Sequence, residues 1–261
     1  MLPLESLLQG SSQRQELLPI VAAAETALRT WEPTWTPLLA AALREEAEQR
    51  FAALSDLSLA SAGGYAGAER RRLLLQRSEL AQPVEELDAG LGGLEISGNF
   101  LFDPAEPSDL REGLRAAGAA AGELGDLWIR GDRGGQAIVS AELAQRLNGQ
   151  LGRVRSVEVR FEVRPIAELQ LPPERIERSL TTVEASLRLD AVGSAGFGLS
   201  RSRLVERIRR GEVRVDWQPV TSPSRELAPG QRVQLEGRGE LLIETAEPTL
   251  RGRWRVVIKR R

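Results

Sequence analysis

Between residues 200 and 216 the chain reads SRSRLVERIRRGEVRVD, and six of these residues are arginine. A guanidinium is a planar fork of donors that stays charged at any physiological pH, so several on one rigid element would bind phosphate. The spacing predicts that element. With Ser200 as N-cap, a helix over 200–210 puts Leu204, Val205 and Ile208 on one side and Arg203, Arg207 and Arg210 on the other. Gly211 ends the helix by taking a left-handed conformation without a Cβ penalty, and Val213 and Val215, separated by Arg214, fit a half-buried strand.

Other chemistry loses its usual residues. The chain has no histidine and no cysteine, which removes the commonest general base, the commonest metal ligand, disulfides and thiolate sites. No metal, no cofactor and no catalytic residue are expected, and the protein is expected not to be an enzyme. Ser194-Ala195-Gly196-Phe197-Gly198 is glycine-rich, but no strand precedes it in the dinucleotide-binding arrangement, so its glycines are expected to make the turn before the basic helix. The central region also lacks the doubly wound βαβ series of a methyltransferase.

Nearly all the basic residues are arginine, Lys259 being the only lysine, and a GC-rich genome accounts for that preference. Distribution says more. Residues 186–261 hold 16 basic and 9 acidic side chains, net +7, against 19 and 28, net −9, in residues 1–185. Such asymmetry favours a polyanion partner for the basic end. No stretch is long and apolar enough to span a bilayer, and MLPLESLLQG lacks the basic start and apolar core of a secretory signal, so a cytoplasmic monomer without membrane insertion is expected.

The elements that must carry these residues follow from periodicity. Helices are predicted over 13–30 and 37–54, the second opening on Thr36 as N-cap and Pro37 at the first helical position, with Leu39, Leu43, Ala47, Phe51 and Leu54 as its buried stripe. Trp31 and Trp35 fall in the connecting turn as a packed corner. Residues 1–60 read as a helical lead-in. Strands over 70–76, 93–102, 124–130, 135–139 and 154–163 alternate with helices over 108–118 and 140–149, which contains the order β-α-β-β-α-β of a ferredoxin-like sheet covered by two helices. Arg70, Arg71 and Arg72 would alternate faces of a strand, as sheet-edge charges or phosphate contacts. Phe100 and Phe102 would share one strand face. Residues 165–182 have a linker's proline and polar content, and 251–259 read as a strand whose Arg251, Arg253 and Arg255 either extend the basic surface or, on a two-faced edge strand, simply discourage aggregation. The fold class is therefore α+β, with 1–60 helical, 61–164 ferredoxin-like, 165–182 a linker and 183–261 a basic C-terminal domain.

Over about residues 180–245 the order Arg188-Leu189-Asp190, Ser200-Arg201-Ser202-Arg203, Ile208, Gly211, Val213, Val215, then Ser224, Leu227, Gly230, Val233 and Gly237-Arg238-Gly239, resembles the S-four RNA-binding domain. That resemblance implies RNA contacts at Arg201 and Arg203, and at Arg238 in the glycine-bounded loop. With the helical-face residues, the candidate RNA-binding set is Ser200, Arg201, Arg203, Arg207, Arg210, Arg214 and Arg238. Arg188-Leu189-Asp190 superficially resembles the catalytic aspartate motif of pseudouridine synthases, but too little chain follows for their catalytic domain, and Asp190 is expected to be a buried cap or salt-bridge partner. Gly63-Gly64-Tyr65, Ala68-Glu69-Arg70-Arg71-Arg72-Leu73 and Gly125-Asp126 look like the central domain of YlmH-like proteins. Within that family the sequence most resembles the cyanobacterial and plastid variety called photosystem II S-four domain proteins. Where the family commonly has histidine-arginine-aspartate this chain has Pro107-Ser108-Asp109, basic positions are Ala119, Ala120 and Ala121, and Glu236 and Glu240 flank the last loop. The resemblance implies a ribosomal role, in ribosome assembly or translation quality control on structured rRNA or tRNA, with the large ribosomal subunit as a partner. The alternative is an adaptor whose acidic front docks a protein while the basic end binds nonspecifically.

Overall fold

The structure, a computed structural model, describes residues 2–11, 13–173, 177–235 and 238–261. The chain separates into two compact units, Met1–Pro173 and Glu174–Arg261.

The first unit opens with α1 (Leu4–Leu8), α2 (Arg14–Thr30), β1 (Thr34–Trp35), α3 (Ala41–Phe51), β2 (Leu57–Ala62) and β3 (Arg72–Arg77). The strands make an antiparallel sheet in the order β1-β3-β2, and Leu17, Ile20, Val21 and Ala24 of α2 pack with Phe51, Leu73 and Leu75. The strand expected over 70–76 thus pairs with the N-terminal elements rather than with the ferredoxin-like sheet, and a boundary at residue 60 would cut β2. Thr36 is not a helix cap. Its amide donates to the Leu73 carbonyl and its hydroxyl accepts from the Leu73 amide, both at 2.9 Å, which keeps the chain extended until α3 begins at Ala41. Pairing with β3 overrode the capping signal. Trp31 ends α2 in the left-handed conformation, and the Arg77 guanidinium lies 3.7 Å from its ring centroid, so one ring face is taken by a cation.

The rest of this unit is β4 (Leu91–Ser97), α4 (Pro107–Ala116), β5 (Leu124–Ile129), β6 (Gly134–Ser140), α5 (Ala141–Leu147), β7 (Leu151–Val154) and β8 (Val157–Arg164). The sheet order β5-β6-β4-β8-β7 is the ferredoxin-like order with β7 added at one edge. Leu110 and Leu114 of α4 and Leu143 and Leu147 of α5 bury Leu94, Ile96, Val159 and Phe161 in one core. Sequence departures have local explanations: Pro107 occupies the first position of α4, and Asp109 accepts the Glu106 amide at 2.7 Å in a capping box. The strand expected over 93–102 stops at Ser97. Phe100 then turns into the core while Phe102 is 91 % exposed, so the two share no strand face.

Arg70, Arg71 and Arg72 are internal staples. Arg70 donates to the Leu124 carbonyl at 2.7 Å, Arg71 to those of Ala68 and Ala66, and Arg72 to those of Thr36 at 2.6 Å and Ala89 at 2.7 Å. Burial depresses the pKa of Arg71 and Arg72 from the usual arginine value. Asp126 completes the joint by accepting Tyr65 Oη at 2.7 Å and the amides of Glu69 and Arg70 at 2.8 and 2.9 Å. Arg72→Lys keeps the charge but has one nitrogen for two divergent carbonyls. It should cost about 1–2 kcal/mol in thermal unfolding, and an unchanged melting curve would remove the staple role.

The second unit runs β9 (Arg178–Glu184), α6 (Leu189–Phe197), α7 (Arg201–Arg209), β10 (Val213–Val215), β11 (Gln218–Pro219), β12 (Arg232–Leu235), β13 (Gly239–Pro248) and β14 (Trp254–Arg260). The antiparallel sheet order is β11-β10-β12-β13-β14-β9. Two expectations change here. Residues 178–182, assigned to the linker, are β9, and β14 is an inner strand because β9 takes the edge.

Candidate nucleic-acid interface

Helix α7 begins as its sequence dictates: the Ser200 side chain accepts the Arg203 amide at 3.4 Å. Leu204 and Ile208 are fully buried against Val213, Val215 and Val233, and Gly211, at φ 73°, reverses the chain into β10. Gly198, at φ 65°, makes the turn between α6 and α7, whereas Gly196 lies inside α6, where a Cβ would strike Leu241.

With the core direction set by Leu204 and Ile208, the outward face of α7 carries Ser202, Arg203, Glu206, Arg209 and Arg210. Arg207 is not on it. Its side chain is only 14 % exposed and pairs with Glu212 at 3.4 Å, the chain having been turned back by Gly211. Arg209, missed in the sequence analysis, is exposed and has no carboxylate partner among the described residues. A wheel centred on Leu204 and Ile208 would have found it. Arg210 pairs with Glu206 one turn back, so a carboxylate sits among the outward arginines.

Arg201 belongs to a separate constellation. Asp190, in the first turn of α6 and 5 % exposed at its side chain, accepts Arg188 Nε and Nη2 at 3.1 and 3.0 Å and Arg201 Nη2 at 3.0 Å on both oxygens. Burial opposes its ionisation, but hydrogen bonds from the two guanidiniums outweigh that and hold the carboxyl below the ordinary aspartate value. The expected salt-bridge role of Asp190 is met, and the clamp fixes the start of α7 against α6 while leaving both guanidiniums partly in solvent.

Arg214 lies apart from this surface. It is half-buried on β10, where alternation with the buried Val213 and Val215 turns it to the sheet face away from α7. Asp216 and Trp217, at φ 47° and 66°, form the two-residue turn joining β10 to β11. Asp216 accepts the Arg232 amide at 2.9 Å and Gln231 Nε2 at 2.8 Å, while the Arg232 guanidinium stands 5.3 Å from the Trp217 ring centroid. Arg238 is half-buried in the turn before β13; Glu236 and Gly237 of the expected loop lie outside the described residues. Glu240 is neutralised by Arg232 at 2.9 Å and Arg261 at 3.1 Å.

Residues 12–80 match the family model "YlmH, N-terminal" and residues 187–233 match the S4 domain. The chain is 31 % identical over 207 residues, covering 79 % of each sequence, to "Ribosome-associated protein quality control protein P2" of Bacillus subtilis (strain 168). The chain belongs to the YlmH family. A solved structure, "Cell division protein ylmH from Streptococcus pneumoniae", aligns with a TM-score of 0.47 at 16 % identity, over 60 % of this chain and 94 % of that one. In this YlmH-family chain the S4 match spans both α6 and α7, the Asp190 clamp and the β10–β11 turn. Among the described residues no helix is long and apolar enough to cross a membrane, and no cluster of three acidic side chains is placed to hold a metal.

Proposed function

We propose that this YlmH-family protein binds structured ribosomal or transfer RNA without altering it, in ribosome assembly or translation quality control, with the large ribosomal subunit as its docking partner. The observation that carries this reading is the Asp190 clamp. It fixes Arg188 and Arg201 beside the Ser200-capped start of α7, so their free N–H groups and the outward Arg203, Arg209 and Arg210 form one preorganised set of phosphate donors. The S4 match over the same residues and the printed role of the Bacillus relative support it. The same clamp argues against catalysis, since an aspartate held by two guanidiniums and closed to solvent has no path to a substrate. We infer further that the chain is of the cyanobacterial and plastid variety of the family, a reading supported by its resemblance to those proteins, and that it works in the cytoplasm as a monomer.

The test is fluorescence anisotropy of the full chain with a labelled RNA stem-loop across a salt series. Log K should fall linearly with log salt, and Arg203→Gln and Arg209→Gln should each reduce the slope by about one while leaving the melting temperature unchanged. Affinity independent of salt would remove phosphate recognition. A new pseudouridine or methyl group detected by mass spectrometry of the RNA would overturn the non-catalytic assignment.

A further inference from the structure

The second unit continues past the part that matches the S4 domain. β12 pairs with β13 only as far as Arg232 opposite Leu242, whereas β13 runs on to Pro248, accompanied by β14 and, beyond it, by β9. The pairing shifts between Ile243 and Thr245, where the two-stranded overhang begins. β9 backs this overhang, so the distal half of β13, the following turn and the start of β14 form a three-stranded finger.

Its tip is held rigidly. The Thr249 amide donates to the Arg253 carbonyl at 2.7 Å, the Thr249 hydroxyl donates to the same carbonyl at 3.1 Å and accepts the Arg253 amide at 3.1 Å, and Gly252 takes φ 70° at the bend. A turn ordered this way fixes what it displays. It displays Leu250, fully exposed, with Arg251, Arg253 and Arg255, none of which has a carboxylate partner among the described residues. All three arginines line one shallow depression together with Glu247, which stands opposite Arg255 across the strand pair, and its apolar part comes from Val183, Pro248 and Leu250. Glu247 is the single acid between residues 245 and 255.

Those features select the occupant. Three cations against the one carboxylate of Glu247, on a stiff support, call for an anion, and the adjoining aliphatic surface calls for an anion with flat apolar faces between its charges. Arg255 is the second residue of β14 and Arg253 directly precedes the strand, so in extended backbone the two are about 6.8 Å apart, a spacing comparable with that of successive phosphates on an extended nucleic-acid chain. We infer that the β13–β14 finger is a second RNA-contact site, which grips the phosphates of an unpaired stretch of RNA while Leu250 and Pro248 lie against its riboses and bases. This rests on the RNA-binding reading above and adds a surface outside the S4 match.

The full chain and its Arg251→Gln/Arg253→Gln/Arg255→Gln variant are titrated against a labelled stem-loop RNA with and without a single-stranded 3′ extension, between about 50 and 200 mM salt. The variant should melt as the parent does and bind the plain stem-loop equally well. On the extended RNA its salt slope should be smaller by about two, three phosphates at about 0.7 each, with at least a tenfold loss of affinity. Equal binding of the extended RNA by parent and variant would overturn the inference and leave the α7 reading standing; failure of the parent to bind either RNA would sink the α7 reading. In a second arm, benzoylphenylalanine replaces Leu250 in the full chain and is photolysed with purified ribosomes. A nuclease-sensitive adduct is expected, and an adduct to protein alone would overturn the assignment.

Discussion

Asp190→Ala should destabilise the C-terminal unit by about 3 kcal/mol, near the lower end of the range for breaking a buried ion pair, because Arg188 and Arg201 can still reach water. For a unit of this size that is a fall in melting temperature on the order of 15 °C, read by calorimetry. RNA affinity should drop with it even well below the transition, since Arg201 loses its fixed position at the head of α7. Asp190→Asn separates charge from shape. Because the folded carboxyl titrates below its unfolded counterpart, its stabilisation is fully present above the unfolded value of about 4 and is lost as pH falls through the folded value. The gap in melting temperature between parent and Asp190→Asn should therefore be constant above about pH 5 and narrow as pH falls below the unfolded aspartate value of about 4 and on through the folded one. A gap that widens in acid would mean that the aspartate is not held ionised by its arginines.

Gly134→Ala should be the most damaging single change in the N-terminal unit. Gly134 opens β6 at φ 122°, where L side chains are strained, and a Cβ there would fall on the Ile96 carbonyl oxygen. β6 is buried along its whole length between β4 and β5, so neither neighbour can retreat without opening the core. A loss of about 4–5 kcal/mol is expected. Calorimetry should show the transition of residues 1–173 collapsing while that of the basic unit stays in place, and binding to the stem-loop RNA should survive. A variant melting like the parent would show that the β6 backbone adjusts freely.

What the sequence disclosed and concealed follows from whether the partners are local. Ser200, Leu204, Ile208 and Gly211 are local signals on one helix, and each does in the structure what its spacing predicts. Arg207 was misplaced because its partner Glu212 lies beyond a chain reversal that helical periodicity does not see. Arg70, Arg71 and Arg72 resembled a surface charge run, yet their acceptors include carbonyls as distant as Thr36 and Leu124, which no window along the chain connects. The cap signal at Thr36 was real chemistry put to another use, its hydroxyl serving a strand partner 37 residues away. β9 has a local signal, since Ser-Leu-Thr-Thr-Val is β-prone, but the prolines and charges before it give the segment a linker's composition. The β-α-β-β-α-β order, by contrast, was carried by clean alternation and survived at the level of topology although several boundaries moved.

Glu206 gives the basic helix its own counter-ion. On the proposed reading, an RNA phosphate arriving at Arg210 would displace a carboxylate already paired there rather than a dissolved cation, so the exchange would release less salt and yield energy only where the phosphate fits the guanidinium better than Glu206 does. A loosely placed polyanion gains little from such a trade. The pair would thus act as a local threshold, trading strength on arbitrary nucleic acid for discrimination in favour of an RNA whose backbone arrives in register.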